Sequence, residues 1–217
     1  MTPPLITIDG PVAAGKSSVG NLLAQRLGYL FVDTGLMYRA LTWKAVTLGI
    51  ETGDDEKLAS LARNTEIDVA NRSVFVDGAE VSALITRREV GVKVPFIARI
   101  AEVRQAMVEK QRKIASRGGV IMAGRDIGTV VLPQAGLKVY LEASLDERVR
   151  RRHMELQSQG KRDSYKLVLE DIARRDDIDT QRSVSPLRPA EDATIFVTDG
   201  ISLEQVVDRI VALLNNQ

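Results

Sequence analysis

The sequence predicts an α/β fold in which a parallel β-sheet is covered by helices on both faces. Short apolar runs, typical of buried strands, alternate along the chain with longer segments whose apolar residues recur at helical spacing. Strands that alternate with helices form parallel sheets, because each helix carries the chain back to the same edge. The 217 residues suit one large domain or a core with appended subdomains.

Five apolar runs are the predicted strands of this sheet. They are LITID at 5–9, YLFVD at 29–33, VIMAG at 120–124, LKVYLEA at 137–143 and ATIFVTD at 193–199. Helical patterns follow the first two runs, at 16–27 and from about 37 to 48, and Gly28 is a typical helix-terminating residue. The last helix begins at Ser202, and Gln205 three residues later completes a capping-box pattern.

Two segments interrupt this alternation. The first, EIDVANRSVFVDGAEV at 66–81, predicts a small antiparallel insertion whose strands are joined at Asn71-Arg72 and at Asp77-Gly78, a favoured hairpin turn. The second, LDERVRRRHMELQSQGKRDS at 145–164, predicts a polar, arginine-dense helix that ends near Gly160.

Composition and charge exclude several classes of function. The net charge of +1, from 30 basic and 29 acidic residues, argues against a surface that coats nucleic acid. The chain has no cysteine, which excludes disulfides and thiolate metal sites and fits a reducing compartment. The N-terminus lacks a signal-peptide pattern, and no apolar stretch approaches the roughly 18 residues that span a bilayer. We therefore expect a cytoplasmic protein without a membrane or nucleic-acid partner.

The segment after the first strand fits the phosphate-loop pattern G-x-x-x-x-G-K-[ST]. Its residues are Gly10, Pro11, Val12, Ala13, Ala14, Gly15, Lys16 and Ser17, and Ser18 follows. In such a loop the backbone N–H groups surround a polyphosphate, the lysine reaches the outer phosphates and the hydroxyl can ligate Mg²⁺. A chance match is the alternative, but a strand before the loop and a helix after it favour phosphate binding.

Two further loops are predicted at the same edge of the sheet. Asp33-Thr34-Gly35-Leu36-Met37-Tyr38-Arg39 follows the second strand and could serve Mg²⁺ or a second substrate; alternatively, Asp33 or Thr34 caps a helix and Arg39 is solvated. Arg125 and Asp126 follow the VIMAG strand. They could present a guanidinium to a phosphate and a carboxylate to a ligand, or they could pair with each other at the surface.

Basic residues are concentrated in the arginine-dense helix. Arg148, Arg151 and Arg152, with Lys161 and Arg162, exceed the acidic partners available at helical spacing, which favours an anionic ligand over a simply exposed helix. The charged run from Arg174 to Arg182 has no clear local interpretation.

The assembled motifs resemble those of bacterial cytidylate kinases, a family of P-loop nucleoside monophosphate kinases. The resemblance extends nearly end to end and is carried by IDGPVAAGKSS, FVDTGLMYRA, EVRQAMVEKQR, AGRDIGTVVLPQAGLKVYLEAS and RRDDIDTQRSVSPLRPAEDA. It implies a P-loop NTPase-type core, a monophosphate-binding region and a short helical lid. It also implies transfer of the γ-phosphoryl group of ATP to CMP or dCMP with Mg²⁺.

The resemblance also divides the chain. The core would comprise 1–34, 105–146 and 165–217, the monophosphate-binding region 35–104 with its antiparallel insertion at about 63–103, and the lid 147–164. A monomer is expected.

Site residues are assigned through the same motifs. The catalytic residues would be Lys16, Arg125, Arg148 and Arg152. The residues that bind CMP would be Thr34, Tyr38, Arg39, Arg104, Arg125, Asp126, Arg175, Asp179 and Arg182. Lys16 and Ser17 would hold the ATP phosphates and Mg²⁺, and Asp33 is a further candidate ligand of the metal.

Within the CMP-binding group, the resemblance implies different roles. Thr34, Tyr38 and Arg39 would face the monophosphate, and Arg39 and Arg125 would grip its phosphate. Arg104, Asp126 and Arg182 would read the cytosine. Arg175 and Asp179 would hold the ribose or the nearby phosphate, and Arg148 and Arg152 would close over the transferred group.

The chain departs from the family pattern at a few positions. Pro95 stands where many members have a serine that touches the base, so that contact must be absent or supplied elsewhere. Ile178 stands where some members have an arginine, and Leu36 replaces a usual alanine. The alternatives are a kinase for another small acceptor, such as UMP, another nucleoside monophosphate or shikimate, and a regulatory NTPase or binding module. The sequence lacks the Asn-Lys-x-Asp guanine signature.

Overall fold

The computed structural model describes residues 4–70 and 73–215. Its eight strands are β1 (Ile6–Asp9), β2 (Leu30–Asp33), β3 (Ile67–Ala70), β4 (Ser73–Val76), β5 (Ala79–Glu80), β6 (Val120–Gly124), β7 (Leu137–Glu142) and β8 (Thr194–Val197). Its eight α-helices are α1 (Lys16–Leu27), α2 (Thr34–Thr47), α3 (Asp55–Asn64), α4 (Arg88–Ala98), α5 (Ala101–Ala115), α6 (Leu145–Ser158), α7 (Tyr165–Gln181) and α8 (Leu203–Asn215).

The predicted parallel sheet is confirmed. Five strands pair in the order β2-β6-β1-β7-β8, and every neighbouring pair is parallel. All five strands lie in the runs that the sequence predicts. The order places the carboxyl ends of β2, β6 and β1 side by side, so the loops that follow these strands emerge at one edge.

Helices cover the two faces of the sheet through separate apolar clusters. One cluster joins α1 and α8 to β1, β6 and β7, and includes Ile8, Leu23 and Val207. The other joins α2 and α5 to β2 and β6, and includes Val32 and Met107. Because both faces are covered, β1, β6 and β7 are buried along nearly their whole length, whereas Ile195 and Val197 of the edge strand β8 are exposed. Among the described residues, no helix is both long and apolar enough to cross a membrane.

Capping residues set the ends of two helices at the sheet edges. The predicted capping box precedes α8: the hydroxyl of Ser202 accepts the N–H of Gln205 at 3.2 Å, and the Gln205 side chain accepts the N–H of Ser202 at 3.0 Å. Helix α2 begins at Thr34, three residues earlier than predicted from the apolar spacing. Asp33 explains the earlier start, because its carboxylate accepts the N–H of Gly35 at 2.9 Å and caps the helix.

The predicted antiparallel strands form a three-stranded sheet in the order β3-β4-β5, but they cover only 67–80, and the rest of the stretch predicted at about 63–103 includes helix α4. Asp77 and Gly78 join β4 to β5 with φ of 50° and 80°, the left-handed conformation that Asp-Gly supplies in tight hairpins. The predicted turn at Asn71-Arg72 lies outside the described residues.

Helices α6 and α7 form a third, smaller packing unit. Val149 and Leu156 of α6 pack against Val168 and Ile172 of α7. Helix α6 ends at Ser158, and Gly160 follows with φ of 73°, in agreement with the predicted end. Val12 and Ala13, from the loop after β1, pack against this cluster, so the two helices rest directly on that loop.

Candidate active site

The loop after β1 is shaped to leave its backbone N–H groups available. Gly10 has φ of 149°, and a Cβ placed on it would lie 2.3 Å from the backbone oxygen of Leu141, so only glycine fits. Ala13 and Gly15 have φ of 61° and 94°. These left-handed residues curl the chain immediately before α1, whose N-terminus adds partial positive charge. The geometry is that of a phosphate-binding loop.

Lys16 is a buried cation at the start of α1. Its ammonium group donates to the carbonyl of Pro11 at 2.6 Å, inside its own loop. Burial and the neighbouring Arg125 guanidinium hold the pKa of Lys16 well below its usual value. An anionic ligand in the loop, such as a phosphate, would favour the charged form of Lys16.

Ser17 and Asp33 bring together a hydroxyl and a carboxylate from different strand ends. Ser17 Oγ donates to Asp33 Oδ2 at 2.6 Å, while Asp33 Oδ1 accepts the N–H of Gly35. Asp33 therefore caps α2, as one of the two alternatives from the sequence has it, and its other oxygen contacts the phosphate loop; its role toward Mg²⁺ stays a prediction. Over the described residues, no group of three or more His, Cys, Asp or Glu side chains could hold a metal ion.

A cleft beside the phosphate loop collects all nine residues predicted to bind CMP. Its lining includes Thr34, Tyr38, Arg39, Arg104, Arg125, Asp126, Arg175, Asp179 and Arg182, together with Asp33, Gly35 and Gly124. These residues come from the loops after β2 and β6 and from α2, α5 and the end of α7. Their role as ligands stays a prediction, but the fold brings them to one place.

Arg125 and Asp126 do not pair with each other, which was one possibility from the sequence. Arg125 Nε donates to Asp179 Oδ2 at 2.7 Å, and Asp126 accepts from Arg104. Arg182 lies between the two carboxylates, 3.8 Å from Asp126 Oδ1 and 3.7 Å from Asp179 Oδ1. Arg125 and Asp126 thus belong to a single ion-pair network, in which Arg182 links the Arg125–Asp179 pair to the Arg104–Asp126 pair.

The cleft carries an excess of positive charge. Five arginines line it, with three carboxylates. Burial lowers the pKa of Arg39, Arg175 and Arg182, and neighbouring guanidiniums add to the effect. Although burial alone would raise it, the pKa of Asp179 is lowered by Arg125, so this carboxylate stays ionised. The uncompensated guanidiniums fit a dianionic group such as a phosphate monoester.

An apolar wall faces this charged surface across the cleft. Val94, Pro95 and Ala98 of α4 form it. Pro95 lies inside the helix and has no N–H group. Pro95 stands where the family pattern has a serine, and its side chain offers no hydrogen bond to a base. Tyr38 lies nearby, and the Arg104 guanidinium is 5.7 Å from the centre of its ring.

The two lid arginines predicted to be catalytic have different surroundings. Arg148 is buried and donates to the carbonyls of Ala143 and Val12, at 3.1 and 3.2 Å, and to Asp176 at 2.6 Å. In this conformation Arg148 therefore contacts the phosphate loop through Val12, and it is not among the residues that line the cleft. Arg152 pairs with Glu155 at 2.6 Å and lies near enough to Arg39 to help lower the pKa of that arginine.

Arg151 belongs to the arginines that favour an anionic ligand in the sequence but received no specific role there. Its Nη1 lies 3.9 Å from the position that a Cβ on Gly15 would take, beside the phosphate loop. Thr198 and Glu147 hold the guanidinium in place, with Thr198 Oγ1 accepting at 2.9 Å and Glu147 at 2.8 Å. In the sequence, Arg151 is recognisable only by its i, i+4 spacing from Glu147. That spacing is typical of an ordinary surface ion pair on a helix and does not indicate a binding site.

The phosphate loop and the arginine-lined cleft share one sheet edge, an arrangement that suits the transfer of a phosphoryl group, and the molecule has the fold of the P-loop kinases. The solved structure of shikimate kinase from Bacteroides thetaiotaomicron shares this fold. It superposes with a TM-score of 0.52 at 14% identity and covers 98% of each chain.

A family model described as cytidylate kinase matches residues 6–216, and the chain belongs to that family. A cytidylate kinase of Desulfitobacterium hafniense (strain Y51) is 49% identical over 98% of this chain and 93% of its own. A cytidylate kinase of Geobacillus sp. (strain WCH70) is 46% identical over 98% of this chain and 96% of its own.

Proposed function

We propose that this enzyme transfers the γ-phosphoryl group of ATP to CMP or dCMP, giving ADP and CDP or dCDP. The observation that carries the proposal is that a glycine-curled loop and an arginine-lined cleft lie together at the carboxyl edge of β2, β6 and β1. The phosphate loop suits the donor, and the arginine-lined cleft suits a small monophosphate acceptor. Membership of the cytidylate kinase family supports cytidine nucleotides as acceptors.

The donor side consists of the loop from Gly10 to Ser18. Its backbone N–H groups and the α1 N-terminus would bind the β- and γ-phosphates, and Lys16 would exchange the carbonyl of Pro11 for phosphate oxygens. Arg151 stands beside Gly15 with its guanidinium fixed, so we assign it to the donor phosphates as well.

The donor would bind together with Mg²⁺. Ser17 Oγ and Asp33 Oδ2 lie 2.6 Å apart, and this hydroxyl and carboxylate fit Mg²⁺, which kinases hold with one or two protein oxygens, substrate phosphates and water. Bound with ATP, Mg²⁺ would neutralise part of the phosphate charge. The backbone N–H groups of the loop and Lys16 would position the phosphates.

Cytosine recognition follows from the chemistry of the ion-pair network. Cytosine presents an exocyclic amine donor, and a carboxylate is its usual partner in proteins. Asp126 is buried and ionically paired, so it can accept from that amine, while Arg104 and Arg182 can donate to the ring acceptors. UMP presents a carbonyl oxygen to the same carboxylate, which is repulsive, so UMP should be a poorer acceptor.

Catalysis would rest on positioning and on charge stabilisation, because phosphoryl transfer needs little covalent chemistry from the protein. Arg39 and Arg125 would hold the acceptor phosphate, and Lys16 would stabilise the charge of the transferred group. Arg152, near Arg39, could approach the same group as α6 moves. An arginine in such a position contributes about 10³–10⁵-fold in related phosphoryl transfers.

A panel of acceptors tests the proposal. With ATP and Mg²⁺, CMP and dCMP should give the highest kcat/KM, measured by coupled release of ADP. UMP should be weaker, and AMP and shikimate should be near the background. Highest activity with UMP, AMP or shikimate would replace the proposed acceptor, and ADP release that needs no acceptor would indicate an NTPase instead.

We also propose that the enzyme works in the cytoplasm as a monomer. The lining of the cleft comes from one chain, and the sequence has no cysteine. Light scattering of the purified protein should give a mass near 23.8 kDa. A stable dimer mass would contradict the monomer.

A further inference from the structure

Asp9 is a buried carboxylate at the junction of the two substrate sites. It ends β1 and directly precedes Gly10, the first residue of the phosphate loop, and it is 4% exposed. Its two oxygens accept backbone N–H groups from the opposite loop: Ile127 donates to Oδ1 at 2.9 Å, and Gly128 donates to Oδ2 at 2.7 Å. The residue has no part in the donor or acceptor contacts described above.

The amides that Asp9 binds belong to the segment that carries Arg125 and Asp126. A π-helical turn at Ile127–Val131 begins directly after these two residues. The N–H groups of Val130 and Val131 return to the carbonyl of Asp126 at 2.9 and 3.2 Å, so the turn and Asp126 move together. Short π-helical segments of this kind occur frequently at functional sites.

Gly128 permits the close approach of this turn to β1. A Cβ placed on it would lie 3.0 Å from Thr7 Oγ1, 3.2 Å from Lys138 Cδ and 3.4 Å from Asp9 Oδ2. The absence of a side chain therefore allows the amide to reach the carboxylate at hydrogen-bonding distance. The strand, the carboxylate and the glycine together determine where the turn begins.

The folded protein keeps this carboxylate at an energetic cost. Burial raises the pKa of Asp9 to about 6, although the N–H groups of Gly128 and Ile127 and the charge of Lys16 oppose the shift. Strongly perturbed ionisable groups are concentrated at functional sites, where geometry outweighs stability. The cost is understandable if the contact serves substrate binding.

We propose that Asp9 is a positioning residue for the acceptor. By fixing the amides of Ile127 and Gly128, its carboxylate holds Arg125 and Asp126 in the direction that grips the CMP phosphate and reads its base. This inference rests on the proposed function, in which these two side chains bind CMP. Asp9 touches neither substrate and acts through the backbone of the acceptor loop.

The first test replaces the carboxylate by an amide of the same size. Asp9→Asn retains one acceptor oxygen and turns an N–H donor toward the second backbone amide. We expect KM for CMP to rise about tenfold or more, the size of effect expected from one charge-assisted hydrogen bond. KM for ATP should change by less than about twofold, because the phosphate loop keeps its own contacts. Thr7→Val is the matched control, since it changes the same face of β1 without removing the carboxylate.

The second readout is the pH dependence of KM for CMP, which a purely structural role would not move. The wild-type KM should rise as Asp9 is protonated below about pH 6. The charged or titratable groups that face Asp9 are Lys16, Asp126 and Tyr140, and the stem of Lys138 passes nearby. These groups and the CMP phosphate are present in both enzymes, so the ratio of the variant KM to the wild-type KM should shrink toward one below pH 6.

A second variant keeps the inference testable if Asp9→Asn does not fold. Gly128→Ala displaces the same amide while Asp9 remains, and it should also raise KM for CMP selectively. Unchanged KM for CMP in the folded variants would overturn the inference alone. A parallel rise in both KM values with a lower melting temperature would overturn it too, in favour of a structural role. If wild-type enzyme does not phosphorylate CMP, the proposed function fails, and the inference with it.

Discussion

At the scale of single residues, the site is built from charges that are buried before any substrate arrives. Lys16 is 9% exposed and is held by the carbonyl of Pro11, and its pKa is lowered chiefly by burial. A charge in this state contributes little to folding, because desolvation opposes it. We expect its contribution when a phosphate replaces the carbonyl, so removal of Lys16 should separate catalysis from stability.

Replacing Lys16 by methionine tests this separation. We expect kcat of Lys16→Met to fall by about 10²–10³-fold or more, as when other preorganised donors are removed. The melting temperature should stay equal or rise, because a costly buried charge is gone. Coupled ADP release and thermal unfolding measure the two effects. Lys57→Ala, an exposed lysine on α3, should change neither. Wild-type turnover in Lys16→Met would exclude a catalytic role.

Arg182 tests the acceptor side in the same way. Its guanidinium lies 3.8 Å from Asp126 and 3.7 Å from Asp179, and all three residues line the cleft. Arg182→Met should raise KM for CMP by about 10–100-fold, since a charged hydrogen bond contributes about 1.5–3 kcal/mol, and should leave KM for ATP nearly unchanged. Steady-state kinetics with each substrate varied give both values. Arg188→Met, an exposed arginine after α7, is the control. Equal changes in both KM values would show that Arg182 does not belong to the acceptor site.

At the scale of secondary-structure elements, α6 and α7 are linked to the phosphate loop by more than apolar contact. Arg148 on α6 donates to Asp176 on α7 at 2.6 Å and to the carbonyl of Val12 at 3.2 Å. The side chains of the pair are 9% and 21% exposed, so the pair is largely shielded from water. We therefore expect a movement of either helix to disturb the phosphate loop, which would couple the predicted lid to donor binding.

Asp176→Asn breaks this link and leaves the Arg148 charge without its partner. Removing one member of a buried pair is strongly destabilising, and with the partial exposure of Asp176 we expect a loss of about 2–4 kcal/mol in the free energy of unfolding. KM for ATP should rise more than KM for CMP. Urea denaturation and steady-state kinetics measure these effects. Glu170→Gln, which breaks an exposed pair on the same helix, should cost less than about 0.5 kcal/mol. A stable variant with normal KM for ATP would show that the link is dispensable.

The elements themselves were largely predictable because their signals are local. Continuous apolar runs gave all five strands of the main sheet, and Ser202 with Gln205 gave the start of α8. The start of α2 was placed three residues late, because the apolar spacing does not show that Asp33 caps the helix while also accepting from Ser17. A residue with two simultaneous roles has no single local pattern.

At the scale of the whole molecule, the partners within the site could not be predicted. The motifs identified which side chains line the cleft, but Arg125 pairs with Asp179, 54 residues away, and not with its neighbour Asp126. Arg148 contacts Val12 across 136 residues. Such pairs depend on how three loops meet at the sheet edge, and nothing in the local sequence encodes that distance. Asp9 was overlooked for the same reason.

The enclosed part of the cleft is small in this conformation. Its internal space is about 120 Å³, whereas ligand pockets in proteins commonly measure ~300 Å³ or more. We therefore expect the ion pairs across the cleft, including Arg125 with Asp179, to separate or shift when an acceptor binds. The composition and charge of the cleft are already in place before that change.

The pH dependence of the free energy of unfolding should reflect the raised pKa of Asp9. Its pKa is about 6 in the folded protein against an ordinary value of 3.8, so the folded state holds its proton more tightly than the unfolded state does. The contribution of this group is fully present below about pH 4 and is lost as the pH rises to about 6, by about 3 kcal/mol in all.

Wild type should therefore lose stability relative to Asp9→Asn between pH 4 and pH 6, because the variant has no such proton and the other groups cancel in the difference. Urea denaturation of both proteins across this range measures it. Glu56→Gln, an exposed carboxylate on α3, should track the wild type. A wild-type advantage that grows with pH would mean that the two amides of the turn stabilise the carboxylate more than burial destabilises it, and the contact would then serve folding before it serves the acceptor.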